Sequence, residues 1–317
     1  MEINNVACVG AGLIGHGWAT LFAWKGYQVV LQDSREDALE RALSQVKRNL
    51  EFLARVDLLK AESHEKCLGR IRSTSDLTEA VEDADYIQES VYESYKAKKE
   101  VFKSMDAATP PGSILASSSS ALKMSVIQKA AEKPERCIVA HPWNPPHLMP
   151  LVEIVPGSET SPETVKETKE FMEKLGKVAV VQKKEDSGTI GNRLAAALWR
   201  EAIDLVRRGV AELEDVDKAV CAGPGIRWAI LGPHLSYHLG GGSGGIEYYL
   251  RHLGPAMAAR WRTLATWTSI PPSAEKKIIR DIKTIELVKG KSVEEIATLR
   301  DEKLAKLLKI LYREDEH

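Results

Sequence analysis

The sequence predicts an α/β protein: a Rossmann-type, doubly wound and mostly parallel sheet followed by a smaller all-α C-terminal domain. Three observations support this fold class. Short apolar runs alternate with amphipathic helical patterns as far as residue 187, which is typical of repeated β-α-β units. A glycine-rich turn joins the first apolar run to the first helical pattern, and beyond residue 187 only helical patterns remain. We therefore predict domains at residues 1–187 and 188–317.

The order of the elements follows from these patterns. Residues 5–10 and 27–31 are predicted strands that flank a helix over 13–25, and the charge-rich stretch 35–66 contains two helices separated at Asp57. Helix 192–208 opens the second domain, with Trp199, Ile203 and Val206 on its apolar face, and helix 292–312 closes the chain. Between residue 66 and the domain boundary at 187 we predict strands at 70–73, 85–88, 113–117, 137–140, 151–155 and 179–182, and helices at 76–81, 95–105, 125–131 and 162–175.

Composition excludes several classes of partner. The 317 residues carry 44 Lys plus Arg against 45 Asp plus Glu, a net charge of −1, so neither nucleic acid nor an anionic membrane is expected as a general partner. No apolar run reaches the length of a membrane span, and we see no signal peptide. The four cysteines have no metal-type spacing, and no metal site is expected. A reducing, cytoplasmic location fits these features.

The glycine-rich turn carries the strongest motif. Residues 10–15 read Gly-Ala-Gly-Leu-Ile-Gly, with a strand before them and a helix and second strand after them. In this context Gly10 permits the tight turn, Gly12 lets the backbone approach a diphosphate, and Gly15 lets helix and strand pack closely. The diphosphate would lie at the positive end of the following helix. The motif predicts a dinucleotide site.

An acidic residue at the end of the second strand selects the dinucleotide. Asp33 lies 18 residues after Gly15, where its carboxylate can bind the ribose hydroxyls and would repel a 2′-phosphate. Arg35 lies nearby and weakens that preference. We expect NAD as the cofactor.

One histidine and one glutamate are the best candidates for acid–base chemistry. His141 follows an apolar strand and precedes Pro142-Trp143-Asn144-Pro145-Pro146, a stiff loop at the sheet edge where such folds bind ligands. Glu153 lies inside the next apolar strand, where a carboxylate is costly unless paired. Pairing would orient His141 and raise its basicity. The alternatives are a structural histidine and a Glu153 on an exposed sheet edge.

Two further polar segments admit two interpretations each. Residues 117–120 are four consecutive serines after a predicted strand; they can donate hydrogen bonds to cofactor or substrate, or cap the following helix. Asn192 begins the long helix as either a cap or a substrate ligand. The spacing leaves both questions open.

Together these residues resemble the L-3-hydroxyacyl-CoA dehydrogenase superfamily along nearly the full chain. The matching stretches are residues 9–15, 114–117, 141–145, 150–155 and 190–194. Within the superfamily the chain looks most like the branch of λ-crystallin, L-gulonate 3-dehydrogenase and L-carnitine dehydrogenase. Residues 140–142, 144–146 and 87–89, together with Glu93, carry that closer match.

The resemblance implies a role for each candidate residue. It identifies His141 as the catalytic base, Glu153 as its partner, Ser120 as the catalytic serine and Asn192 as a ligand of the reacting oxygen. The serine run departs from the Ser-Asn-Thr-Ser of relatives, so the division of roles between Ser118 and Ser120 stays open. The resemblance also implies that the cofactor is lined by Leu13, Ile14, Asp33, Glu93 and Lys98.

The implied reaction is NAD-dependent oxidation of a secondary alcohol at C3. Arg227 stands where acyl-CoA members have an uncharged sequence, and its guanidinium can clamp a free carboxylate, although it can equally be a surface arginine. Trp143, two residues after the base, can offer an aromatic face to a trimethylammonium group. We therefore expect a free 3-hydroxy acid of the L-gulonate or L-carnitine type.

Three alternatives remain at this point. An L-3-hydroxyacyl-CoA dehydrogenase would act on the CoA ester instead of the free acid. A crystallin-like structural protein or a non-catalytic NAD sensor would not turn substrate over.

The resemblance also implies a homodimer formed through the helical domain, whose apolar positions include Leu231, Leu235, Leu239, Leu250 and Leu253.

Overall fold

The computed structural model describes residues 2–59 and 64–312, and the chain forms two compact units, Met1–Arg193 and Leu194–His317. The change of unit falls inside one helix, six residues after the boundary predicted at 187/188. Of the two helices predicted over 35–66, part lies outside the described residues, at 60–63.

The described residues of the first unit form one eight-stranded sheet in the order β3-β2-β1-β4-β5-β6-β7-β8. Every neighbouring pair is parallel except β6 and β7, which are antiparallel. This confirms the predicted doubly wound, mostly parallel sheet. The strands are β1 Asn5–Val9, β2 Gln28–Gln32, β3 Ile71–Thr74, β4 Tyr86–Glu89, β5 Ile114–Ser117, β6 Cys137–Pro142, β7 Leu151–Pro156 and β8 Val178–Val181.

The helices of this unit begin and end where local chemistry dictates. Asp57 adopts a left-handed backbone, φ 58°, directly after the long second helix. Ser94 and Ser161 cap helices through their hydroxyls, which satisfies backbone N–H groups left free at helix starts. The helices are α1 Leu13–Trp24, α2 Glu36–Arg55, α3 His64–Leu68, α4 Leu77–Val81, α5 Tyr95–Ala108, α6 Met124–Ile127 and α7 Pro162–Lys174.

Strand order fixes where a ligand can bind. The chain moves from β1 outward to β3 and then returns to place β4 on the other side of β1. The carboxyl ends of β1 and β4 therefore border the crevice that open α/β sheets use for ligands. The turn after β1, the turn after β4 and the end of β6 all meet at this edge of the sheet.

The second unit is helical over its described residues. Its small core contains Val206, Leu213, Val216 and Ile285. Trp199 was predicted on the buried face but is 59% exposed, because the core lies around Ile203 and Val206 on the next turns of the helix. The helices are α8 Ile190–Arg207, α9 Leu213–Val220, α10 Ile226–Trp228, α11 Pro233–Gly240, α12 Gly245–His252, α13 Gly254–Trp261, α14 Pro272–Asp281 and α15 Val293–Tyr312, with a π-helical turn at Cys221–Gly225.

The described residues contain neither a membrane-spanning helix nor a cluster of metal-binding side chains. None of their helices combines the length and apolarity needed to cross a bilayer. None of their His, Cys, Asp and Glu side chains form a group of three or more arranged to hold a metal ion.

Candidate active site

The glycine-rich turn between β1 and α1 has the geometry that a dinucleotide requires. Gly10 has φ 97°, and a Cβ on Gly15 would lie 1.7 Å from the carbonyl oxygen of Gly10, so neither position tolerates a side chain. A Cβ on Gly12 would meet no atom within 4 Å. Gly12 therefore borders open space beside the start of α1, whose N-terminus has no side-chain cap. This cradle fits a diphosphate.

Asp33 closes the other side of this cradle. The backbone N–H of Ala11 donates to Oδ2 of Asp33 (3.0 Å), and that of Arg35 donates to Oδ1 (3.1 Å). Asp33, Gly12 and Leu13 line one cavity of about 740 Å³ together with Arg35. The two backbone donors thus hold the carboxylate in place at the border of this cavity.

A second cavity, of about 440 Å³, gathers most of the other predicted site residues. It lies where the ends of β4, β5 and β6 meet, and it continues the row of ligand-binding turns that starts at β1. Its lining residues are Ile14, Ser90, Val91, Glu93, Lys98, Ser118, Ser120, His141, Pro142, Trp143, Asn144 and Asn192. Glu153 lies just behind this wall.

His141 and Glu153 are cross-strand neighbours in the antiparallel β6–β7 pair. Nδ1 of His141 lies 3.2 Å from Oε2 of Glu153, and both side chains are buried. Because β7 is flanked by β6 and β8, the alternative of an exposed edge for Glu153 is wrong. An ionised carboxylate only accepts hydrogen bonds, so Nδ1 carries the proton and Nε2 of a neutral ring keeps its lone pair.

Two groups that the sequence analysis missed complete the hydrogen bonds of Glu153. The indole N–H of Trp143 donates to Oε2 (3.2 Å), and the backbone N–H of Gly191 donates to Oε1 (2.8 Å). Burial would raise the pKa of Glu153, but the hydrogen bonds from His141 and Gly191, with smaller effects of Thr189 and Trp143, outweigh it and lower the pKa to about 2. Glu153 is therefore an anion at neutral pH.

Close packing explains why residue 191 is a glycine. A Cβ there would lie 2.9 Å from Cζ2 of Trp143, so the indole packs directly on the backbone of α8. The signal for this was present in the matched stretch 190–194, where the glycine precedes Asn192. Asn192 itself lies inside the first turn of α8, which begins at Ile190, so its interpretation as a helix cap is wrong.

The loop between β6 and β7 is anchored from beneath by a buried lysine. Nζ of Lys177 donates to the carbonyl oxygens of Pro146 and Met149, the latter at 2.8 Å. Burial, with a smaller effect of Lys25, lowers the pKa of Lys177 to about 7. On α1, a Cβ at Gly17 would lie 2.7 Å from Cδ of Pro146, so this glycine lets the loop settle on the helix.

The four serines fall into two groups, those bonded to a buried or half-buried carboxylate and those that line the second cavity. Ser117 donates to Oε2 of Glu89 (2.6 Å) and Ser119 donates to Oε1 of Glu93 (2.6 Å). Ser118 and Ser120 line the second cavity. None of the four caps α6, because that helix starts at Met124 after Lys123; the capping interpretation is wrong.

Glu93 and Lys98 form a charged floor of the same cavity. Nζ of Lys98 lies 2.6 Å from Oε1 of the buried Glu89 and 3.3 Å from Oε2 of Glu93. Glu93 also accepts from the backbone N–H of Ser120 (3.1 Å). Burial raises the pKa of Glu93, but the hydrogen bond from Ser119 and the charge of Lys98 lower it further than burial raises it. Of the two carboxylates that contact Lys98, Glu93 is partly exposed and Glu89 is buried.

Arg227 lies in the second unit, on the single helical turn α10, with an exposed side chain. Its contribution to substrate binding stays a prediction.

Comparison with known protein families divides the chain into two parts. Residues 5–185 match the family model of the 3-hydroxyacyl-CoA dehydrogenase NAD-binding domain, and residues 188–279 match the C-terminal domain of the same family.

Relatives named as L-carnitine dehydrogenases resemble the chain over nearly its whole length. It is 38% identical to an L-carnitine dehydrogenase of Streptomyces coelicolor, covering 97% of this chain and 95% of that one. It is 35% identical to the L-carnitine dehydrogenase of Pseudomonas putida, covering 97% and 94%.

Solved structures share the fold. An NAD+-dependent 5-formyl-3-hydroxy-2-methylpyridine 4-carboxylic acid 5-dehydrogenase superposes with a TM-score of 0.81 at 30% identity, covering 98% and 99% of the two chains. A 3-hydroxybutyryl-CoA dehydrogenase of Escherichia coli superposes with a TM-score of 0.69 at 27% identity, covering 88% and 57%. The predicted Rossmann-type domain and NAD cofactor are thus confirmed.

Proposed function

Because this chain belongs to the 3-hydroxyacyl-CoA dehydrogenase family and is an NAD-dependent oxidoreductase, we propose that it oxidises the C3 hydroxyl of a free short-chain 3-hydroxy acid. The preferred substrate is L-carnitine or an acid of similar chemistry. The observation that carries the proposal is the His141–Glu153 pair, with its free Nε2 on a histidine that lines the second cavity.

In this mechanism His141 is the base. Its Nε2 takes the proton of the substrate hydroxyl, and the anionic Glu153 stabilises the imidazolium that results. Ser120 and Asn192, which line the same cavity, hold the reacting oxygen and orient C3. When bound, NAD would supply the acceptor for the hydride at C3. In the reverse direction the protonated His141 polarises the ketone.

The cofactor would be held by the residues of the first cavity and its border with the second. Gly10, Gly12 and Gly15 shape the diphosphate cradle, and Asp33 binds the adenosine ribose. The remaining residues proposed to line the cofactor are Leu13, Ile14, Glu93 and Lys98.

One feature of the second cavity supports a quaternary ammonium substrate. Trp143 contributes an indole to its wall, and an aromatic face is the group that recognises a trimethylammonium cation. The names of the two L-carnitine dehydrogenases point the same way, because carnitine carries a trimethylammonium group. Arg227 stays the proposed ligand of a substrate carboxylate.

The test is an NAD-linked activity screen. NADH formation is measured with L-carnitine, L-gulonate, 3-hydroxybutyrate and 3-hydroxybutyryl-CoA. We expect turnover of free acids and the highest kcat/KM with L-carnitine. Activity confined to the CoA ester would replace this proposal by the second candidate, a 3-hydroxyacyl-CoA dehydrogenase, which the similarity to the Escherichia coli enzyme favours.

The helical unit would form a homodimer. Large apolar side chains are exposed along it, including Leu235 (56%), Leu239 (64%), Leu250 (62%) and Trp261 (64%), more than a monomeric surface usually carries in one region. Light scattering at micromolar concentration should give the mass of two chains. A monomer that persists at these concentrations would contradict the assignment.

A cytoplasmic location is supported by cysteine chemistry. Cys8, Cys67 and Cys137 are buried as free thiols, which suits a reducing compartment. Cell fractionation with an antibody to the chain would test it.

A further inference from the structure

A chain of buried hydrogen bonds ends at the wall of the second cavity. Oγ of Ser118 lies 3.2 Å from the indole Nε1 of Trp18, 2.8 Å from the amide Nε2 of Gln88 and 2.9 Å from Oγ of Ser90. Trp18 and Gln88 are completely buried, whereas Ser90 and Ser118 line the cavity.

The surrounding groups fix the orientation of the Gln88 amide. Nε2 also donates to the carbonyl oxygen of Ala140 (3.2 Å), and Oε1 accepts from the hydroxyl of Tyr86 (3.0 Å). A carbonyl oxygen only accepts hydrogen bonds, so the nitrogen must face Ala140 and Ser118. Burial raises the pKa of Tyr86 well above its ordinary value, so its hydroxyl remains a donor.

The donors around Ser118 determine the direction of its hydrogen bond with Ser90. A serine hydroxyl has two acceptor lone pairs and one proton. Trp18 and Gln88 can only donate to Ser118, and they occupy both lone pairs. Ser118 must therefore donate to Ser90. The proton of Ser90 is then left to point into the cavity.

We infer that Ser90 is a further ligand-binding residue of this site, and that Trp18 and Gln88 are positioning residues that direct its hydroxyl proton toward an acceptor oxygen in the cavity. The acceptor belongs to the nicotinamide half of NAD or to the substrate. Ser90 follows β4, two strands from β6, at a separation of about 10 Å. It therefore meets a different oxygen from the one at His141.

The backbone around Ser90 favours the cofactor as the source of this oxygen. A Cβ on Gly10 would lie 2.8 Å from the carbonyl carbon of Ser90, so Ser90 abuts the dinucleotide turn. The inference rests on the proposed function only for the identity of the substrate.

The test compares Ser90→Ala with Ser90→Thr, which keeps the hydroxyl. NADH binding is titrated by fluorescence, with AMP binding as a measure of the intact adenosine site. Loss of one hydrogen bond should weaken NADH binding about 5- to 10-fold, leave AMP binding unchanged, and be largely restored in Ser90→Thr. Ser104→Ala, an exposed serine on α5, is the control variant.

The positioning role has its own variant. Trp18→Phe keeps a ring in the core but frees one lone pair of Ser118, which can then accept the proton of Ser90. We expect a smaller loss of NADH affinity, about threefold, at an unchanged AMP affinity. Trp24→Phe, on the same helix, should have no effect.

The binding and kinetic measurements distinguish an acceptor on the cofactor, an acceptor on the substrate and no ligand contact at Ser90. A raised substrate KM with unchanged kcat and unchanged NADH affinity in Ser90→Ala would support Ser90 as a donor and place the acceptor on the substrate. NADH affinity and substrate KM both within twofold of wild type would overturn the inference. An effect of Ser90→Ala without one of Trp18→Phe would overturn the positioning role. NADH binding needs no turnover, so a chain that oxidises no free 3-hydroxy acid would refute the proposed function separately.

Discussion

His141 and Glu153 face each other across the antiparallel β6–β7 pair, with Nδ1 3.2 Å from Oε2. This relationship sets the tautomer of the imidazole, because Glu153 is already held as an anion by Trp143 and Gly191. The pair therefore presents one defined basic nitrogen, and its consequences can be measured.

Replacing the base should separate chemistry from cofactor binding. In His141→Gln we expect kcat to fall by at least about 10²-fold, since general base catalysis contributes about 10²- to 10⁴-fold. NADH affinity should stay within twofold, because His141 does not line the dinucleotide cradle. Near-normal turnover in this variant would refute the assignment; His64→Gln on α3 is the control.

Replacing its partner should disturb the tautomer. In Glu153→Gln the amide has only one acceptor oxygen, so it cannot accept from His141, Trp143 and Gly191 together. Its NH₂ group would face at least one of these donors. We expect kcat to fall by about 10³- to 10⁴-fold, as for a triad carboxylate changed to its amide. Glu163→Gln, exposed on α7, should retain wild-type activity. A loss of less than tenfold would show that Glu153 does not orient the base.

The same variant should change the acid stability of the protein. The pKa of Glu153 is lowered from 4.5 to about 2 in the fold. Its contribution to the free energy of unfolding is therefore complete above pH 4.5 and disappears as the pH falls toward 2. Urea denaturation at pH 7 and pH 3.5 should show a smaller gap between wild type and Glu153→Gln at the lower pH. A gap independent of pH would contradict the lowered pKa.

Substitutions at Gly12 and Gly15 should separate cofactor binding from packing of the glycine turn. Gly12→Ala meets no protein atom, so we expect an unchanged Tm but NADH binding weakened at least about tenfold, because the methyl group enters the diphosphate cradle. Gly15→Ala places a Cβ 1.7 Å from the Gly10 carbonyl oxygen and should lower the free energy of unfolding by about 1–3 kcal/mol. Gly112→Ala, also in open space, is the control. Equal effects on Tm would refute this distinction.

Lys177 should make stability depend on pH above neutrality. Its pKa is lowered from 10.5 to about 7, so between these values the unfolded chain binds more protons than the folded one, and stability rises with pH. Relative to Lys177→Met, the free energy of unfolding of the wild type should increase by about 2 kcal/mol from pH 7 to pH 9. Lys174→Met at the exposed end of α7 should follow the wild-type dependence. A constant difference between wild type and Lys177→Met would contradict this account.

Several features of the site escaped sequence analysis for a common reason. The hydrogen bonds of Trp143 and Gly191 to Glu153 join residues 10 and 38 positions apart. The sequence allowed a serine of the run 117–120 to cap the next helix, but α6 starts at Met124, with Lys123 at the cap position. Trp199 follows the helical period of its apolar neighbours, yet the described fold leaves it exposed. In each case the partner is chosen by tertiary packing.

The sequence by itself determined the mostly parallel α/β fold, the dinucleotide cradle and the choice of His141 and Glu153, because strand periodicity, obligatory glycines and a carboxylate in an apolar strand are local signals. The tertiary structure alone decided that the two strands pair antiparallel in a register that sets His141 opposite Glu153. It also decided that the hydroxyl of Ser118 is saturated by Trp18 and Gln88. Hydrogen-bond direction depends on which donors meet in space, and no spacing along the chain specifies that.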